Sequence, residues 1–181
     1  MGGGMAVLKR PRKCTWCKHP FLPQRMGQKV CSPECAWQLA RKQREKVERV
    51  AARLRREALK SRSQWLREAQ SAFNAWIRQR DQDLPCISCG RYGTKYDAGH
   101  YRSVGAAPQL RFNEDNVHKQ CSQCNQHLSG NIVAYRQGLL QKIGPQRLDA
   151  LEANHQSIRW TIEDARRIRD EYRSKLKEAN G

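Results

Sequence analysis

Cys86-Ile87-Ser88-Cys89, then Tyr96-Asp97-Ala98-Gly99-His100-Tyr101, then Asn116, then Cys121-Ser122-Gln123-Cys124-Asn125: this ordered stretch decides how the chain folds. Two residues between thiolates let one tight turn present both sulfurs to a single tetrahedral ion, and two such turns close a site of four cysteines. The residues between the turns read as short strands separated by a loop carrying glycine and proline. A zinc knot pinning such a hairpin to a following helix would hold the His100 imidazole and the Asn125 amide on opposite walls of one small cleft. That cleft suits phosphodiester hydrolysis, in which a histidine deprotonates water and a divalent ion stabilises the leaving oxygen.

The spacing occurs twice. Cys14-Thr15-Trp16-Cys17 is followed after thirteen residues by Cys31-Ser32-Pro33-Glu34-Cys35, and Cys89 is followed after thirty-one by Cys121, so all eight cysteines are used. Redox-active Cys-x-x-Cys pairs occur singly in a thioredoxin-like βαβ setting, which this sequence lacks. Two structural zinc ions are therefore expected, on Cys14, Cys17, Cys31 and Cys35 and on Cys86, Cys89, Cys121 and Cys124. Four thiolates leave no open coordination position, so catalysis must lie elsewhere.

Lysine and arginine number 35 against 17 acidic residues, a formal net charge of +18. Two zinc-bound quartets lower this to about +14, still an excess that self-repels unless the partner is a polyanion. The mean hydropathy of −0.91 means that much of the chain is solvated helix or extension. There is no apolar run of membrane-spanning length and no secretory signal, so a cytosolic location is expected, with no membrane partner and no organic cofactor. Met5 stands as an alternative start, and residues 1–4 are set aside.

Outward from the second quartet, Trp65, Leu66, Ala69, Phe73, Trp76 and Ile77 make a wide apolar helix face, with Ser63 as its expected cap and Pro85 beyond its end. Upstream, 36–62 is uninterrupted by glycine or proline. Its Arg41, Lys42, Arg44, Lys46, Arg49, Arg53, Arg55, Arg56, Lys60 and Arg62 are expected to meet DNA phosphates. A narrow stripe of Val47, Val50 and Leu54 on the same segment could seam two copies together. Downstream, Gly144-Pro145 marks a stop and restart, and Thr161 with Asp164 resembles a capping box before Ile162, Ala165, Ile168 and Tyr172.

Residues 86–127 resemble the HNH, or ββα-metal, nucleases, whose pattern is an acidic residue and a histidine, then asparagine, then asparagine or histidine after a final Cys-x-x-Cys. The resemblance implies His100 as general base and Asn116 as the residue that fixes the loop. It makes Asn125 and Asp97 ligands of a catalytic magnesium or manganese ion, and His127 the alternative ligand. The family commonly places its acid directly before the base, whereas Asp97 stands three residues earlier, so a bulge at Gly99 is expected to bring the two side chains to one face. The wider run from Leu84 to Asn131, with Leu110-Arg111-Phe112-Asn113, the N-terminal cysteines and Trp160-Thr161-Ile162-Glu163, is similar to the NinG/Rap proteins of lambdoid phages. That resemblance implies an endonuclease of Holliday junctions and D-loops, acting on branched DNA as a homodimer in the bacterial host.

The expected architecture is α+β: a zinc finger at 5–37, a basic helix at 38–62, an HNH-like core at 63–152 and a C-terminal helical extension at 153–181. The rival is a non-catalytic, zinc-stabilised DNA-binding accessory protein of recombination. Charge and both quartets fit it equally well, and only the residues around His100 separate the two.

Overall fold

The computed structural model describes residues 10–181, so Met5 and the first residues of the expected zinc finger lie outside it. The described residues divide into two compact units, the first ending at Leu59 and the second spanning 60–181. In the first, strands β1 (Arg12–Lys13) and β2 (Pro20–Phe21) pair antiparallel and lead to helix α1 (Pro33–Ala58). Ser32 caps α1 by accepting from the Cys35 amide, with Pro33 in the first turn where its missing N–H costs nothing. Cys35 is thereby fixed one turn into the helix. It is the one buried residue of α1, and Val47, Val50 and Leu54 are exposed.

The second unit begins with α2 (Arg62–Arg80), whose cap is Ser61 and not Ser63. The reason is reciprocity: Ser61 accepts from the Gln64 amide while the Gln64 side chain accepts from the Ser61 amide, and Ser63 has Leu66 where that partner would stand. Strands β3 (Tyr96–His100) and β4 (Val117–Cys121) form an antiparallel pair. A π-helical turn (Gln123–His127) follows, then α3 (Ile132–Ile143), α4 (Pro145–Glu152) and α5 (Ile162–Ala179). Thr161 and Asp164 form the capping box of α5.

Phe73 of α2 is fully buried and meets Phe112 and Tyr172 edge to face, with ring centres 5.8 and 4.7 Å apart. Trp65, Ala69 and Ile77 of α2, Ala98 and Val117 of the hairpin, and Ala165 and Ile168 of α5 complete this core. Helix α5, expected from the sequence as an extension, thus contributes directly to the core beneath the hairpin. A second cluster joins Ala107 and Leu110 of the loop to Tyr135, Leu139, Leu148 and Leu151.

Behind the hairpin lies a polar knot. Asp81, 1 % exposed, accepts from Arg80, Lys142 and the Lys119 amide, and so ties the end of α2 to α3 and β4. Burial alone would raise its pKa. Hydrogen bonds from Arg80 and Lys142 outweigh that and hold the carboxyl far below its ordinary range.

Candidate functional site

Each cysteine quartet converges, with its sulfurs within 4.8 Å of one another, so each can hold a zinc ion. Sulfur pairs stand 3.5 Å apart for Cys17–Cys31 and Cys31–Cys35 and 3.8 Å apart for Cys89–Cys121. Tetrahedral zinc with bonds near 2.3 Å asks for roughly 3.8 Å. The two turns share one local design. Cys14 N–H donates to the His19 carbonyl and Cys86 N–H to the Arg91 carbonyl, with Lys18 (φ 64°) and Gly90 (φ 67°) left-handed after the second cysteine. Backbone amides also point at sulfur, from Cys31 to Cys14 and from Cys121 to Cys86, which suits thiolates.

The second quartet anchors the open end of the hairpin, where β3 begins and β4 ends. Tyr96 pairs with Cys121, Asp97 with Gln120, Gly99 with His118 and His100 with Val117, without interruption. The expected bulge at Gly99 is therefore absent, and on a regular strand Asp97 and His100 point to opposite faces. They are linked instead through the π-helical turn. Asp97 Oδ2 accepts from Asn125 Nδ2 at 3.0 Å and from Gln126 Nε2 at 2.9 Å, and Asn125 lines a cavity of about 300 Å³ with Ala98, His100, Tyr101 and Ser103. His127, at the end of the turn, is exposed and does not line this cavity.

His100 Nε2 lies 3.0 Å from the Arg111 carbonyl oxygen. A carbonyl only accepts, so Nε2 carries the proton and Nδ1 of the neutral ring is an acceptor. Burial pushes the imidazole pKa below its ordinary value. The Arg111 carbonyl opposes this, and the Arg111 guanidinium adds to it. The carbonyl is itself held in place, because the Arg111 side chain donates to Gln70 Oε1 and to the Leu66 carbonyl of α2.

Asn116 is fully buried and spends both halves of its amide on the loop. Its Oδ1 accepts from Arg102 N at 2.8 Å, and its Nδ2 donates to the carbonyls of Arg102 and Leu110 at 2.9 and 3.1 Å. The other ring in the hairpin, His118, is fully engaged. Its Nδ1 accepts from Arg80 and its Nε2 donates to the Asp115 carbonyl, which leaves it no free nitrogen.

Sequence reasoning missed Gln120, Gln126 and the Arg111 carbonyl. Gln120 is fully buried, and its Nε2 donates to Ser88 Oγ between the zinc cysteines and to the Gly130 carbonyl beyond the π-helical turn. Its Oε1 has no hydrogen-bond partner among the described residues and rests against Gly99, where an added Cβ would come within 2.2 Å of it. One amide thus spaces β3 from the turn that carries Asn125. The hairpin register would have revealed Gln120 as the cross-strand neighbour of Asp97, whereas no residue type announces a backbone carbonyl.

Among the ten basic residues of 41–62, eight lie on α1. Lys60 and Arg62 belong to the second unit, where Lys60 pairs with Glu68 and Arg62 donates to the Trp160 carbonyl.

The family model described as Bacteriophage Lambda NinG protein matches residues 5–181. The chain is 49 % identical to "Protein ninG" of Escherichia phage 933W, with 92 % of each chain covered. It is also 49 % identical to "Protein ninG" of Escherichia phage lambda and 48 % identical to that of Salmonella phage P22, with 90 % of this chain and 89 % of each relative covered. No solved structure matches.

Proposed function

The chain belongs to the NinG family of lambdoid phages, and on that premise we propose that it is a structure-specific endonuclease of branched recombination intermediates, with an HNH-type centre at His100. The observation that carries this reading is the His100 geometry: Nε2 held by the Arg111 carbonyl, the ring beside a cavity that Asn125 also lines, and a pKa lowered by burial. A neutral imidazole so held can take a proton from an attacking water through Nδ1, and the carbonyl then stabilises the imidazolium that forms.

Asp97 and Asn125 offer a carboxylate and an amide oxygen, hard donors that suit magnesium or manganese. Among the described residues the cysteine quartets alone gather three or more His, Cys, Asp or Glu ligands, so an ion at Asp97 would draw further ligands from water and substrate phosphate, as magnesium commonly does. Asn125 now presents its nitrogen to Asp97 and would coordinate through its oxygen after the amide turns over. A divalent ion held there supplies positive charge for the leaving oxygen. The exposed Val47, Val50 and Leu54 favour a homodimer seamed along α1, and the host cytoplasm is where such a substrate arises.

A synthetic four-way junction incubated with the zinc-loaded protein and magnesium or manganese is the test. Cutting by wild type, and an Asn125→Ala defect partly restored by more divalent ion, support this reading. Binding without any cutting returns the protein to the accessory role.

A further inference from the structure

Trp16 sits inside the first cysteine turn, 37 % exposed, with Lys42 Nζ 5.8 Å from its ring centre. Lys42, Lys46, Arg49 and Arg53 follow along α1 at spacings of four, three and four residues, and therefore share one face. Lys42, Lys46 and Arg49 line a shallow groove of about 510 Å³ and have no ion-pair partner among the described residues. At 1.5 Å per residue the row from Lys42 to Arg53 runs about 16 Å, long enough to follow several phosphates of one strand.

The second exposed indole of this unit behaves differently. Trp37, 50 % exposed, stands five residues before Lys42, about 140° round the helix. Its neighbouring cation, Arg41, is already paired with Glu45 at 3.0 Å. On that face Arg44 is followed one turn later by Glu48, so no unbroken row of cations leads away from Trp37.

We propose that Trp16 is a stacking platform for an unpaired DNA base at the head of the Lys42–Lys46–Arg49–Arg53 row, so that the N-terminal unit grips the single-stranded DNA exposed where a duplex branches. A cation row binds backbone of any sequence, and an indole beside it adds a contact that paired bases in a duplex cannot make. Base–aromatic stacking contributes about 1–3 kcal/mol per base and is independent of sequence. The proposal rests on the reading of the chain as a DNA-binding protein and requires no cleavage.

The two kinds of interaction separate in a salt titration, because phosphate neutralisation sets the slope of log affinity against log salt whereas stacking shifts the line without tilting it. Full-length zinc-loaded protein is titrated onto a labelled oligo(dT) of roughly fifteen nucleotides, and onto a duplex of equal length. Trp16→Leu should weaken oligo(dT) binding about 5- to 150-fold with an unchanged slope and leave duplex binding unaltered. Trp16→Phe should retain most of the affinity, and Trp37→Leu should match wild type. Lys46→Gln with Arg49→Gln should flatten the slope by about 0.7 for each phosphate that is no longer neutralised. Zinc content, measured for every variant, guards against misfolding, and the Phe variant carries the comparison if the Leu variant loses metal. The proposal is overturned if Trp16→Leu binds oligo(dT) like wild type, loses oligo(dT) and duplex alike, or is matched by Trp37→Leu. A wild-type protein without salt dependence would instead overturn the DNA-binding reading beneath it.

Discussion

Replacing Gly99 by alanine places a methyl group where the Gln120 side chain already is. An ideal Cβ would lie 2.2 Å from Gln120 Oε1, 2.9 Å from its Cβ and 3.0 Å from its Cδ. The oxygen alone could swing aside on an open surface. Here Gln120 is fully buried and bound through Nε2 to Ser88 and the Gly130 carbonyl, and its Cβ is fixed by the strand. Overpacking of this kind costs about 1–3 kcal/mol, and leaving the buried Gly130 carbonyl without its donor adds about 1–3 kcal/mol. Gly99→Ala should therefore lower stability by about 2–6 kcal/mol. Gln120→Ala alone should cost about 2–4 kcal/mol, from the missing hydrogen bonds and the small cavity left behind. In the double variant the new methyl enters the vacated space, so the total should stay close to that of Gln120→Ala. Urea unfolding of the four zinc-loaded proteins gives a coupling energy, expected in the rescuing direction and close in size to the cost of Gly99→Ala itself, about 2–6 kcal/mol. Additivity within about 0.5 kcal/mol would refute the steric conflict and with it the role of Gln120 as spacer between β3 and the Asn125 turn.

Asp81→Ala strips a buried carboxylate from Arg80 and Lys142, both partly exposed, and should cost about 3 kcal/mol in the same unfolding assay at neutral pH, the lower end for a broken buried pair. Metal analysis after careful reduction should return two zinc ions per chain, and one or none would contradict the paired quartets. The His100 pKa is lowered, and in the proposed mechanism the neutral ring is the active form, so cleavage should persist as pH falls past the ordinary histidine value of about 6.5 and decline only below it. A pH–rate profile whose acid limb lies above about 6.5 would place a different group in charge.

The cysteine spacing made both converging quartets, each able to hold a metal ion, legible, because a tight turn between two thiolates has few geometries and this one recurs at Cys14 and Cys86. The apolar spacing of Trp65, Phe73 and Ile77 likewise marked α2 as a core helix, and Thr161 with Asp164 marked the start of α5. Periodicity tells which face of a helix is apolar and not what it meets, which is why Ala165, Ile168 and Tyr172 read as an extension although they seal the core under the hairpin. Register is equally silent in a short strand. Asp97 and His100 on one strand call for a bulge between them, whereas Asn125 bonds Asp97 and lines the cavity beside His100, and its position depends on how the π-helical turn leaves Cys124. The Arg111 carbonyl could not be read at all, since the feature that places it is the bond from its guanidinium to Gln70, forty-one residues away.

Cleavage of a synthetic four-way junction by wild type and His100→Ala, with binding and zinc content measured on the same samples, bears most directly on the proposed centre. On the proposed reading, affinity comes from phosphate contacts spread over basic surfaces and folding from thiolate–zinc bonds, so both should be nearly unchanged while cleavage falls by roughly 10²–10⁴-fold, the usual contribution of a general base. A folded, zinc-loaded His100→Ala protein that cuts at the wild-type rate would contradict the assignment and move the active centre away from this hairpin.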